Sequence, residues 1–440
     1  MSTNMLNPLT RALALAAWLA IAAAPAGAQA PSCQFGPGAL PVDTLAPGTL
    51  HGAQIPIDHI VVLMQENRSY DNYFGKLRRK SGPPKRASSP DPLGGKPIKP
   101  FHQKQYCEVA DLDHGWNGSH REWNNGAMDG FTTENVDPAD PSGSRAMGFY
   151  DARDLRFYYK LYKTFAMSDR HFCSLLGPTY PNRYYLLAAT SFGHVDNVLP
   201  NLSGPDWTQR TIFNALDEAV PPISWKIYYS DLPFGAIFGY VRARLASHSA
   251  PISQFAVDAA AGTLPQVAFV DPAFLGEGEN DEHPPTNVQL GQQLVAGLIN
   301  AAMSSPLWNR MAVFLTYDEH GGFWDHVPPP AGCVPDGIPP TIGPTDYQAA
   351  FDRFGIRVPF VVVSPYARKR YVSHTPTDAT SILRFIETRF DLPALTRRDA
   401  NADPLLELFK FDKPRFAKPP KLPPAVVNPK QQAECEAMGS

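Results

Sequence analysis

Nine consecutive residues, Asp318-Glu319-His320-Gly321-Gly322-Phe323-Trp324-Asp325-His326, place three carboxylates and two imidazoles directly after an apolar run. Carboxylates desolvated together repel one another, so such a cluster near an interior calls for a compensating cation. The chemistry suggested is metal binding or metal-assisted catalysis, with Gly321-Gly322 letting the backbone approach a ligand. A second cluster, Glu277-Gly278-Glu279-Asn280-Asp281-Glu282-His283-Pro284-Pro285, follows another apolar run and by itself reads equally well as a charged loop. Glu66-Asn67 pairs a carboxylate with an amide, hard oxygen donors suited to a divalent cation. Spacing alone reads that pair as a strand-to-loop turn, His114 and His374 as surface histidines, and Thr179, ahead of an apolar helical run, as an N-cap.

The elements that must hold these residues alternate. Apolar, β-rich runs cover Ile57 to Gln65, Ile223 to Tyr229, Gln266 to Asp271, Met311 to Tyr317 and Arg357 to Ser364. Between them Leu290, Leu294 and Leu298 recur at helical spacing, as do Ile382, Leu383, Phe385, Ile386 and Phe390, and both stripes read as core. Alternation of this kind predicts a mostly parallel sheet flanked by helices. Three of the runs end in Glu66-Asn67, Asp271 and Asp318-Glu319, and ligands of open parallel sheets bind beyond the carboxyl ends of strands. Lys76 to Pro100 is a basic, proline- and glycine-rich insert that cannot bury an apolar face. It reads as a solvated loop, or more sharply as a flap attracting anionic substrates or lipid head groups. Residues 412–440 read as a proline-rich tail, extended from Pro414 to Pro429.

Arg11, the apolar run Ala12 to Ala24 and Ala28-Gln29-Ala30 read as a cleaved signal peptide over residues 1–30, so the protein is expected in the periplasm or outside the cell. The remaining 31–440 are expected to form one catalytic domain, with no segment apolar enough for a stable membrane anchor. Five cysteines without a C-x-x-C pair allow up to two disulfides and one leftover thiol, with the connectivity open. A formal net charge of −3 gives no reason to expect nucleic acid as a partner.

Taken together the motifs resemble those of the bacterial phosphoesterase family that contains acid phosphatases and non-specific phospholipases C. The resemblance runs through Ile57 to Gly75, with Glu66-Asn67-Arg68-Ser69-Tyr70-Asp71 at its centre, then Gly177 to Arg183, Asn280 to Pro285, Tyr317 to His326, and Arg357 to Phe390. It implies an alkaline-phosphatase-like three-layer α/β sandwich. It also implies a metal held by Glu66, Asn67, Asp318 and Glu319, and a nucleophile at Thr179, reversing the odds that spacing alone gave. His114, His283 and His374 fall where the family places phosphate-binding or proton-transferring histidines, while His320 and His326 are reserve ligands or neighbours of the site. The implied reaction passes through a phosphothreonine, with N–H groups of the following helix aimed at the phosphate. Mildly acidic pH would keep the donor imidazole charged.

The cofactor implied is a divalent metal, zinc or iron ahead of calcium, magnesium or manganese. The partner is a small phosphorylated substrate or a phospholipid head group. Because the chain ends soon after its core motifs, the expectation leans to an acid phosphatase, with phospholipase C second. A non-catalytic exported binder of phosphorylated ligands stands as the reading from a different class. A metalloprotease ranks last, since no H-E-x-x-H is present.

Overall fold

The computed structural model describes residues 33–77, 81–202, 210–276 and 278–438. The expected signal peptide and Glu277 lie outside the described residues.

The apolar runs become strands because β-branched and aromatic residues suit a pleated surface buried on both sides. These are β1 (His59–Gln65), β2 (Ala166–Ser168), β3 (Trp225–Tyr229), β4 (Ser249–Pro251), β5 (Val267–Asp271), β6 (Met311–Tyr317), β7 (Phe360–Val363) and β8 (Val372–Ser373). They form one eight-stranded sheet in the order β8-β2-β7-β6-β1-β5-β3-β4. All pairings are parallel except those that β7 makes with β6 and β2. Every residue of β5, β6 and β7 is buried. Successive strand residues point to opposite faces, so both faces must be covered. One helical group packs Ser253–Ala261 and Arg156–Tyr162 against Val288–Ser304, and another packs Ala379–Phe390 against Thr179–Ala188. The expected three-layer α/β sandwich, mostly parallel, is what the chain forms.

Two details differ from the sequence reading. Strands β2, β4 and β8 were not anticipated, because two or three residues offer no periodicity to detect. In Val288–Ser304 Leu298 is core as expected, but the first two leucines of the stripe lie at its margin. Leu290 and Leu294 are only half-buried, whereas Val288, Val295, Ile299 and Ala302 are buried. Ile382, Leu383, Phe385 and Ile386 are core residues as expected.

Cys33 pairs with Cys333 and Cys107 with Cys435, leaving Cys173 as a buried thiol. The second bridge fastens the tail, which is not extended throughout: Pro429–Ala437 is a helix capped by the Asn428 side chain. Among the described residues no helix is long and apolar enough to cross a membrane.

His171 is 1% exposed and stacks on Phe360 with ring centroids 4.3 Å apart. Burial pushes its pKa down to about 3. The unfolded chain binds a proton there near pH 6.5 while the fold refuses it, so stability is lost as pH falls through 6.5 toward 3. The loss from this group should be about 1 kcal/mol by pH 5.5. Urea melts of the protein and of His171→Phe at pH 7.5 and 5.5 should show a smaller pH effect in the variant; an equal effect would remove His171 from the account.

Candidate active site

Gln65 lies opposite Tyr317 in the parallel register of β1 and β6, so Glu66 and Asp318 leave the sheet side by side. The strand exits are stitched together: Asp318 N–H donates to Gln65 O at 3.1 Å, Asn67 N–H to Asp318 Oδ1 at 3.3 Å, and Arg68 N–H to Glu319 O at 3.1 Å. Asp271 ends β5, the neighbour of β1 on the other side. Three adjacent strands thereby deliver Asp271, Glu66-Asn67 and Asp318-Glu319 to one edge of the sheet.

A cation already stands among them, and sequence reasoning did not single it out. Arg183, 2% exposed, reaches Glu66 Oε1 at 3.1 Å, Asp318 Oδ2 at 3.1 Å and Asp271 Oδ1 at 3.9 Å. Its guanidinium lies over the Phe274 ring at 4.7 Å. The signal was present in Thr179-Tyr180-Pro181-Asn182-Arg183: four residues along a helix put Arg183 on the face of Thr179.

One arginine is insufficient compensation. Burial, opposed by Arg183 and helped by Glu319, lifts Glu66 to about 7. Burial and Glu66 push Asp318 well up, and burial lifts Asp271 to about 6. Both amide atoms of Asn67 and Glu319 Oε1 are buried without a hydrogen-bond partner, each a deficit of about 1–3 kcal/mol. Orphaned oxygens beside crowded carboxylates suit a divalent cation, so Glu66, Asn67, Asp318 and Glu319 fit such a group. They do not form a closed cage in this conformation, where Arg183 lies between Glu66 and Asp318. Three other sets of ligand atoms do come within 4.8 Å of one another: Asp111-His114-His283, Asp71-Asp325-His326 and His102-Asp151-Asp154.

Thr179 is the first residue of the Thr179–Ala188 helix, and Pro178 is the N-cap. With Pro178 in the N-cap position, Thr179 is not the cap, contrary to the spacing-based reading. The expectation of several helix N–H groups facing a phosphate is narrowed as well, because Tyr180 N–H donates to Asn197 Oδ1 at 2.8 Å and Pro181 has none. Pro178 and His114 line an opening of about 520 Å³, walled by Trp116, Arg121 and the carboxylates of Asp113, Asp196 and Asp346.

His114 and His283 come together with ring centroids 5.5 Å apart. His114 Nδ1–H donates to Leu112 O at 2.7 Å, and His283 Nδ1–H donates to Pro284 O. A carbonyl only accepts, so both Nε2 atoms lie outside these bonds, that of His283 standing 3.7 Å from Asp111 Oδ2. Burial pulls the His114 pKa down, but Glu319, Asp111 and the Leu112 carbonyl outweigh it and hold it at about 9. His374 is not brought to this group: its Nδ1 bonds Asp169 Oδ1 at 2.7 Å. It follows β8, three strands from β6, roughly 14 Å away by strand spacing. His320 links Glu319 to Glu122, at 3.3 and 2.6 Å. His326 turns to Asp71 at 2.5 Å, beside Arg357, which bonds Asp71 and Asp325.

Gly321 explains how the Asp318–Asp325 loop closes on β1. Its φ is +64°, and a Cβ there would stand 2.3 Å from Asn67 O. Gly321→Ala should therefore destabilise the fold by about 2–4 kcal/mol through strain and overlap. Thermal unfolding of the variant checks this; an unchanged midpoint would mean that the loop does not press on Asn67.

The candidate site lies at the carboxyl ends of adjacent parallel strands. The chain belongs to the Phosphoesterase family, which matches residues 57–393, and it is a phosphoric ester hydrolase. It is 34% identical to "Non-specific phospholipase C1" of Arabidopsis thaliana, over 85% of this chain and 75% of that protein. It is also 34% identical to "Phospholipase C B" of Mycobacterium tuberculosis, over 87% of this chain and 85% of that protein. Among solved structures it is similar to a protein in the alkaline phosphatase superfamily from Vibrio parahaemolyticus, with a TM-score of 0.39 and 10% identity over 82% of this chain and 74% of that one.

Proposed function

We propose that the chain is an exported, metal-dependent hydrolase of phosphoric esters with Thr179 as nucleophile. The observation that carries this reading is Arg183, one helical turn from Thr179, clamped between Glu66 and Asp318. That clamp fixes the start of the helix above the strand ends bearing the orphaned Asn67 and Glu319 atoms. A divalent cation bound by Glu66, Asn67, Asp318 and Glu319 would lower the pKa of a nearby hydroxyl and neutralise phosphoryl oxygens; zinc or iron is the favoured identity.

The Thr179 hydroxyl gives its proton to solvent as Oγ1 attacks phosphorus, the bond to the departing alcohol oxygen breaks, and an imidazole Nε2, of His283 or His114, supplies that oxygen's proton. Water then cleaves the phosphothreonine. Glu319 and Asp111 favour the protonated form of His114, in which it can also hold a phosphoryl oxygen. Export is supported by the two long-range disulfides, which persist in oxidising compartments.

For the substrate, the names of the relatives and the acidic wall of the opening, Asp113, Asp196 and Asp346, support a phosphodiester with a cationic head group, as phospholipase C cleaves. This shifts the weight from the phosphatase that the sequence reading favoured. A monoester remains the second reading because charged His114 can meet the extra phosphoryl charge. Comparing p-nitrophenyl phosphorylcholine with p-nitrophenyl phosphate should show higher kcat/KM for the choline ester. A preference for the monoester returns the phosphatase reading, and hydrolysis of neither, with each metal supplied, leaves the binder.

A further inference from the structure

Glu282 immediately precedes His283, is fully buried, and has a φ of +79°. That backbone is strained for a residue with a side chain, so the surroundings must impose it. They do so through its carboxylate. Oε2 accepts from the Tyr73 hydroxyl at 2.5 Å and the Tyr317 hydroxyl at 2.9 Å. Oε1 accepts from the Tyr158 hydroxyl and, at 3.4 Å, from Gln65 Nε2. The backbone carbonyl of Glu282 accepts from Arg68 Nε and Nη2 at 3.0 and 2.6 Å. The Val288–Ser304 helix leaves room for the side chain by having Gly291 against it, where a Cβ would stand 2.2 Å from Glu282 Cγ.

The partners matter by their places in the chain. Tyr317 immediately precedes Asp318-Glu319, and Gln65 immediately precedes Glu66-Asn67. On either side of Glu282, Asp281 O accepts from Glu66 N–H at 2.8 Å, and Asp281 Oδ1 accepts from His283 N–H at 2.9 Å. One buried carboxylate thus joins the ends of β1 and β6 to the loop that bears His283.

We infer that Glu282, caged by Tyr73, Tyr158 and Tyr317, is a positioning residue that sets the His283 imidazole for proton delivery to the departing alcohol. The inference rests on the proposed role of His283 as proton donor. Glutamine at 282 keeps the shape but replaces one acceptor oxygen by a donor, so a tyrosine hydroxyl loses its partner and the loop its fixed register. The proton moves from His283 Nε2 to the alcohol oxygen as the P–O bond breaks, and only an alcohol that leaves poorly needs it.

The test compares an alkyl phosphoester with its p-nitrophenyl counterpart for the wild type, Glu282→Gln and His283→Ala. Both variants should lose at least about tenfold more kcat on the alkyl ester than on the p-nitrophenyl ester, with KM within about threefold. If His283→Ala shows that selectivity and Glu282→Gln does not, the inference is overturned alone. If His283→Ala shows none, its role as donor is overturned and the inference with it. A uniform loss on both esters in Glu282→Gln also overturns it, since a general structural defect cannot sense the leaving group. Should Glu282→Gln fail to fold, Tyr317→Phe, which removes one hydroxyl from the cage, is read by the same criterion.

Discussion

Thr179→Ala is expected to lower kcat/KM for p-nitrophenyl phosphorylcholine by at least about 10⁴-fold, the scale seen when a covalent nucleophile is removed. The fold should scarcely notice. Thr179 heads its helix but is not its cap, Pro178 being the N-cap, so the melting midpoint should move by only a few degrees. Thr179→Ser keeps a hydroxyl in the same place and should restore a large part of the rate. A loss in alanine that serine does not repair would point to packing rather than nucleophilicity. Unchanged hydrolysis in alanine would end the assignment.

Arg183→Gln should cost the metal-free protein about 3–5 kcal/mol, the usual penalty for leaving buried charges without their partner. Glu66, Asp318 and Asp271 lose the one guanidinium that joins them. Their pKa values, already raised by burial, should rise further. A carboxylate whose folded pKa lies above its unfolded value favours folding at low pH and disfavours it as pH rises through the folded value. The variant should therefore be weakest near and above neutral pH. An added divalent cation should stabilise it more than it stabilises the wild type, because the ion takes over part of the missing charge. Chemical denaturation with chelator and with metal measures both effects; a cation response equal to wild type would mean that the carboxylates around Arg183 are not where the ion binds.

The sheet was legible because its inner strands are continuous apolar runs such as Met311–Tyr317, and because the acids that close them, Glu66, Asp271 and Asp318, stand at the exits that a parallel sheet turns toward ligands. The edge strands β4 and β8 were hidden by shortness, and the antiparallel course of β7 by the fact that composition carries no direction. At the site, motif resemblance pointed to Thr179, His114 and His283, whose polar settings alone suggested nothing special. Arg183 and Glu282 were given no role of their own for another reason. Each acts through partners remote in sequence, Arg183 through Glu66 and Asp318 and Glu282 through Tyr73 and Tyr158, and no local spacing records such meetings. His374 shows the converse: a motif marked it, yet its ring bonds Asp169 at the edge of the sheet.

In the proposed mechanism phosphorus is transferred first to a side-chain oxygen and only then to water. The stereochemical course at phosphorus reads this without requiring the intermediate to accumulate. Hydrolysis in isotopically labelled water of a substrate made chiral at phosphorus by sulfur and oxygen isotopes should proceed with net retention, as two successive in-line displacements demand. Net inversion would mean that water attacks directly and would contradict the role given to Thr179.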